Sequence, residues 1–151
     1  MNPAPDWTPV QPFPFSGARR TFTSPVGEDA PIGIRYYKRP DGALVALAGF
    51  GPRAEGPPNH VHGGAILTVL DEVLGAAAWM AGHPVLTARL NAQFRHPVHL
   101  GTTFVVEPRI VDARHGLVRV RGELRDETKI YAEAQGVFMR LEKNIIDQSA
   151  E

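Results

Sequence analysis

Cysteine is absent from all 151 residues. Its absence removes disulfide staples, thiolate metal sites and cysteine nucleophiles together. A chain without disulfides suits a reducing compartment, and the N-terminus lacks the basic region and apolar run of a secretory signal. The expected location is therefore the cytoplasm. Net charge of either sign is missing too: 16 lysines and arginines balance 16 aspartates and glutamates. No global field points to nucleic acid or an acidic membrane surface, so neither is an expected partner. Any positive potential for an anionic ligand has to be local. The longest apolar stretch, Ala65 to Ala81, contains Asp71 and Glu72 and reads as a core helix rather than a membrane span. No internal repeat is visible. What remains is one domain's length of chain with ordinary apolar content, enough to bury a core unaided.

Seven of the fourteen prolines fall in the first 31 residues, where Pro12, Phe13, Pro14 and Phe15 alternate ring types. Such a stretch cannot be helix and does not suit a central strand. Residues 1–31 read as an extended arm whose Trp7, Phe13 and Phe15 pack on the domain, with a disordered leader as the alternative. Ile34 to Lys38 and Ala43 to Phe50 read as a hairpin turned by Pro40 and Asp41-Gly42. Gly51 to Val61 is a loop. One long helix should follow from His62 to Ala81, stopped by Gly82 and Pro84. The period then becomes two-fold: Val85–Phe94, Thr103–Asp112, Leu117–Arg125 and Lys129–Leu141 are strand candidates. Val118 and Val120 alternate with Arg119 and Arg121, so one face of that strand is wet or meets a charged partner. Short connections make the last three strands an antiparallel meander. One apolar helix against one antiparallel sheet is an α+β domain spanning 32–142, followed by a frayed tail, 143–151.

Wound at 100° per residue, the helix carries apolar residues over more than half its circumference. Thr68, Asp71, Glu72, Gly75 and Trp79 occupy the narrow remainder. Asp71 borders the apolar arc and Glu72 points more squarely away, as an exposed charge. A carboxylate at the edge of a buried helix needs a partner or a task. Gly75 costs about 1 kcal/mol against alanine in a helix interior, which suggests that another backbone or a ligand approaches there. The start, His62-Gly63-Gly64, leaves unpaired N–H groups at the positive end of the helix dipole. It is either a flexible entry turn or an oxyanion site. Asp71 lies eight residues past Gly63, about 12 Å along the axis. If both serve one reaction, they come from different subunits, with two such helices antiparallel across a two-fold axis. The strip around Gly75 and Thr68 would admit that approach.

Gly56 to Glu72, with its HGG followed by an acid nine residues after the histidine, resembles the signature of PaaI-like hotdog thioesterases. Leu86 to Thr102, with Thr87 and the run from Phe94 to Gly101, resembles that family's next strand and loop. The resemblance covers Ile34 to Leu141. It implies a hotdog fold, one long central helix wrapped by a curved antiparallel sheet, with active sites shared across a homodimer and often within a homotetramer. It implies hydrolysis of acyl-CoA without metal or other cofactor. The Gly63 N–H would polarise the thioester carbonyl, and Asp71 of the neighbouring subunit would act as general base on water or as nucleophile. Thr87 would place the carboxylate or water. His62 would fix the helix start and touch substrate. Some relatives carry a water-binding Asn six residues before the HGG histidine, where this chain has Gly56. Asn59 lies three before it and, with Gly64, is a candidate substrate contact.

Other readings compete. His60 and His62 alternate as metal ligands on a strand do, but no cysteine or third ligand of fixed geometry accompanies them, so no metal is expected. Glu72 is the alternative acid. The arginines of the strands suit CoA phosphates or simply a solvated face. A non-catalytic acyl-CoA-binding module is the second functional class, although the proline-rich arm lacks the helix-turn-helix that such sensors carry. A hotdog dehydratase would carry a catalytic histidine in an HFP-type segment, which is not found.

Overall fold

In the computed structural model, residues 1–15, 21–23 and 30–142 are described. The expected frayed tail, 143–151, and parts of the arm lie outside them. The helix α1 runs Gly63–Met80, within a residue of its sequence limits. His62 is the N-cap residue, and Ala81 closes the C-terminus by donating its N–H to Ala77 O. The strands are β1 (Thr8–Pro9), β2 (Ile32–Lys38), β3 (Leu44–Phe50), β4 (Val85–Phe94), β5 (Thr103–Arg114), β6 (Leu117–Arg125) and β7 (Ile130–Arg140). They form one antiparallel sheet in the order β1-β2-β3-β5-β6-β7-β4.

The alternation along each strand decides what faces the helix. Val118, Val120 and Leu124 of β6, with Ala132, Ala134 and Phe138 of β7, are buried with Val69, Leu70, Val73 and Leu74 of α1 in one core. The intervening Arg119 stays on the other face, paired with Asp112 at 3.0 Å. By length and apolarity α1 is a candidate membrane span, but Val69, Leu70, Val73, Leu74, Ala76 and Ala78 are fully covered within the fold. The meander of β5, β6 and β7 forms as the short connections require. The strand β4 follows the helix in sequence but pairs with β7 at the far edge, an arrangement that local pattern does not specify.

Three details differ from the sequence reading. A third strand precedes the helix: Thr8 and Pro9 pair with Lys38 and Tyr37 of β2, where an edge position tolerates proline. Gly75 is buried, and no backbone of the described residues outside its own helix meets it. A Cβ there would touch only Phe138 Cε1 at 3.5 Å, so the exposed strip does not pass through Gly75. Glu72 is half-buried, because Thr23 of the arm crosses the helix and donates Oγ1–H to Glu72 Oε1 at 2.7 Å. Phe13 and Phe15 pack edge-on against Trp79 at 6.3 and 5.2 Å between centroids, and Trp7 lies 6.0 Å from Tyr37. The described residues of the arm thus pack on the last turns of α1 and on Glu72.

Candidate active site

The loop before α1 is shaped around His62. Its backbone N–H donates to Ala54 O at 2.8 Å, and its Nδ1 accepts from Gly64 N at 2.8 Å. That bond uses Nδ1 as the acceptor, which corresponds to the tautomer with its proton on Nε2, and it caps one of the helix's orphan donors. The ring lies so close over Gly64 that a Cβ there would meet Nδ1 at 3.0 Å. The expected contact from Gly64 therefore does not come from its N–H, which the cap occupies. Gly63 is different. Its N–H has no acceptor among the described residues, and a Cβ would have room, with Phe94 Cζ 3.9 Å away. The bare backbone at 63 does not serve packing.

Nine residues after His62, Asp71 sits half-exposed on α1. Thr87 Oγ1 donates to Asp71 Oδ1 at 2.7 Å. The pairing depends on β4, where a register shift between Thr87 and Arg89 interrupts the ladder with β7. Such a bulge re-aims the side chains on either side of it. Among the described residues Asp71 Oδ2 keeps no partner, so one oxygen is anchored and the other is open. Gly63 and Asp71 are not brought together within the chain, since eight residues of the same helix separate them.

Glu72 faces the other way, toward Thr23 and Tyr36. Burial raises its carboxyl above the ordinary range, the Thr23 hydroxyl pulls it back, and the charge of Asp71 adds to the rise. Burial, and secondarily Glu72, also pushes the Tyr36 phenol up. Its Oη is enclosed without a hydrogen-bond partner among the described residues.

The rest of the loop is positioned by backbone. Asn59 takes φ of +65° and donates its N–H to Glu55 Oε1 at 2.7 Å, leaving its carboxamide exposed beside the helix start. His60 lies against His99, the rings tilted by 43° with centroids 4.6 Å apart, and is turned to Pro58 O at 2.8 Å. His60 and His62 therefore do not converge, and the described residues contain no group of three or more His, Cys, Asp or Glu placed to hold a metal. Phe94, which opens the run from Phe94 to Gly101 but was given no role in the site, borders the helix start with half its surface open.

Residues 58–132 match the family model of the thioesterase superfamily. The acyl-coenzyme A thioesterase THEM4 of Xenopus laevis is 29% identical over 128 residues, 82% of this chain and 57% of that protein. The BH2602 protein of Bacillus halodurans, solved with CoA, is 27% identical with a TM-score of 0.64, over 72% of this chain and 74% of that one. This chain belongs to the hotdog-fold thioesterase superfamily. The E. coli PaaI protein shares the fold, with a TM-score of 0.63 at 17% identity over 74% of this chain and 80% of PaaI. The chain spans little more than half the length of the THEM4 relative.

Within the superfamily the departure at Gly56 has a steric reason in this chain. A Cβ there would come within 3.0 Å of His62 Cα, so an asparagine would displace the segment that caps the helix. Asn59 does not occupy the same place along the loop.

Proposed function

We propose that this chain is an acyl-CoA thioesterase, active as a homodimer with shared sites and assembling further into a tetramer. The observation that carries the reading is the Thr87–Asp71 hydrogen bond at 2.7 Å, which anchors one carboxylate oxygen and leaves the other free beside an open edge. The superfamily membership, and the thioesterase names of the THEM4 and THEM5 relatives, support the reaction class. The CoA in the Bacillus halodurans structure supports the ligand class.

In this reading the thioester carbonyl lies at the start of α1, where the free N–H of Gly63 and the helix dipole stabilise the developing oxyanion. Asp71 of the other subunit approaches the carbonyl carbon. It takes a proton from water, which attacks, or attacks directly to give an anhydride that water then opens. In either route the C–S bond breaks, CoA leaves as thiolate and is protonated, and the free acid is released. Thr87 holds Asp71 in place, His62 holds the helix start and borders the substrate, and Asn59 and Gly64 line the approach.

Hydrolysis of aromatic, short and long acyl-CoAs by the purified chain tests the assignment. Asp71→Asn is expected to lower kcat by about 10²-fold or more with the fold intact, and Glu72→Gln to do far less. Binding of acyl-CoA without turnover would replace the enzyme reading with a binding module. A larger loss at Glu72 would overturn the choice of acid. Single turnover in ¹⁸O-labelled water separates the two roles of Asp71, since only the nucleophilic route places label in the aspartate.

A further inference from the structure

The sheet parts between β3 and β5. Their ladder runs only from Ala46 opposite Val106 to Gly49 opposite Thr103, whereas β2 and β3 stay paired out to Lys38 and Leu44. Pro108 stands on β5 where the next partners would fall, and proline has no N–H to extend the ladder. On both sides of the parting, Ala43 and Leu44 on one and Pro108, Arg109 and Ile110 on the other, residues line a cavity of about 1090 Å³. That matches the upper end of small-molecule pockets, about 1,000 Å³. Its covered wall is apolar, with Leu44, Ala77, Met80 and Ile110. Asp71, Thr87, His62 and Gly63 are not among its lining.

The exposed wall carries a row of donors across four strands. Arg109 stands opposite Arg121, Arg121 opposite Gln135, and Gln135 opposite Asn91, and all four line the cavity. Like charges directly opposite on neighbouring strands destabilise a sheet, and neither arginine has a carboxylate partner among the described residues. The acids of the adjoining row are mostly engaged. Arg39 and Arg125 hold Glu107 at 3.2 and 2.6 Å, and Arg95 holds Glu133 at 2.6 Å. Glu123 alone in that row has no ion pair among the described residues.

From this geometry we infer a second ligand site, one that takes an amphipathic carboxylate. The head lies between the guanidiniums of Arg109 and Arg121, which suit a carboxylate, and the aliphatic tail enters the parting toward Leu44, Ala77, Met80 and Ile110. An anion there removes the repulsion between the arginines, and an aliphatic tail fills a cavity that the fold leaves open. The site is independent of thioester hydrolysis.

Calorimetric titration of the full chain with decanoate tests it, with decanol as the uncharged control. Saturable decanoate binding is expected in the wild type and equally in Asp71→Asn, with decanol weaker. Arg109→Gln and Arg121→Gln, both at exposed positions, should each weaken decanoate about tenfold or more. Glu123→Gln should tighten it, and Ile110→Trp, which fills the apolar end, should remove it. The proposal is overturned if folded wild-type protein shows no saturable decanoate binding, or if both arginine variants bind as the wild type does. It is also overturned if those variants change the oligomer's size and leave binding intact, which would assign the face to a second copy of the chain.

Discussion

Asp71 and Thr87 are separated by 16 positions, yet both were visible in the sequence. One is a carboxylate at the border of an apolar helix face, and the other belongs to a strand and loop pattern that the family shares. In the proposed mechanism their hydrogen bond makes Thr87 a positioning residue. Thr87→Val should lower kcat about tenfold with little change in KM or in melting temperature, and Thr87→Ser should restore most of it. Equal losses in Thr87→Val and Thr87→Ser would show that the hydroxyl is not what matters. The environment of Glu72 was not legible, because its cover comes from Thr23, 49 positions away. That cover has a consequence for stability against pH. Burial raises the folded-state carboxyl pKa above its unfolded value near 4.5. The stability that this group contributes is fully present below the unfolded value and is lost as pH rises through the raised one. Glu72→Gln keeps an oxygen for the Thr23 hydroxyl but cannot ionise. Thermal melts from pH 4 to pH 8 should therefore show the variant gaining on the wild type as pH rises. A constant difference across that range would mean that the carboxyl is not perturbed.

At the level of elements, periodicity located α1 to within a residue and gave the limits of β4 and β6 unchanged, because the helix and strand periods differ sharply in this chain. It failed where the deciding contact is long-range. Two residues of β1 carry no period, and only the partner β2 makes them a strand. The helical glycine at 75 was a further case. A missing side chain in a helix suggests an approaching neighbour, but Phe138 leaves room for one more carbon at 3.5 Å. Gly75→Ala should thus fill ordinary contact space and reduce the entropy of the unfolded chain, stabilising by about 0.5–1 kcal/mol. In a chain of this size that is a rise of about 1–4 °C in Tm, readable by calorimetry. A fall in Tm, or dissociation of the proposed dimer, would restore the idea that another backbone needs this glycine. Pro108 is the complementary lesson. Its place in a strand pattern is unremarkable until the ladder beside it stops at Val106.

For the whole molecule, the deciding feature is the end of the sheet at β4. Among the described residues the edge strand β4 pairs on one side only, with Leu86 56% and Phe94 50% exposed, and such an edge favours pairing with another chain. A two-fold axis beside β4 would place the Gly63 end of one helix near Asp71 of another, closing the gap of about 12 Å that one chain cannot bridge. The proposed shared site makes a prediction that no single-chain mechanism makes. Asp71→Asn removes the carboxylate, and Gly63→Pro removes the N–H at the helix start. Proline suits that first helical position, and His62 before it already has the extended conformation that proline requires, with φ −60° and ψ 134°. Each homodimer should be nearly inactive. A mixed dimer contains one site with both lesions and one with neither, because each site takes Gly63 from one chain and Asp71 from the other. Unbiased exchange at equal concentrations makes about half of the dimers mixed, so roughly a quarter of wild-type activity should return. Native mass spectrometry of isotope-labelled chains establishes that exchange has occurred. Exchange without recovered hydrolysis would place both groups in one chain's site and end the cross-subunit mechanism.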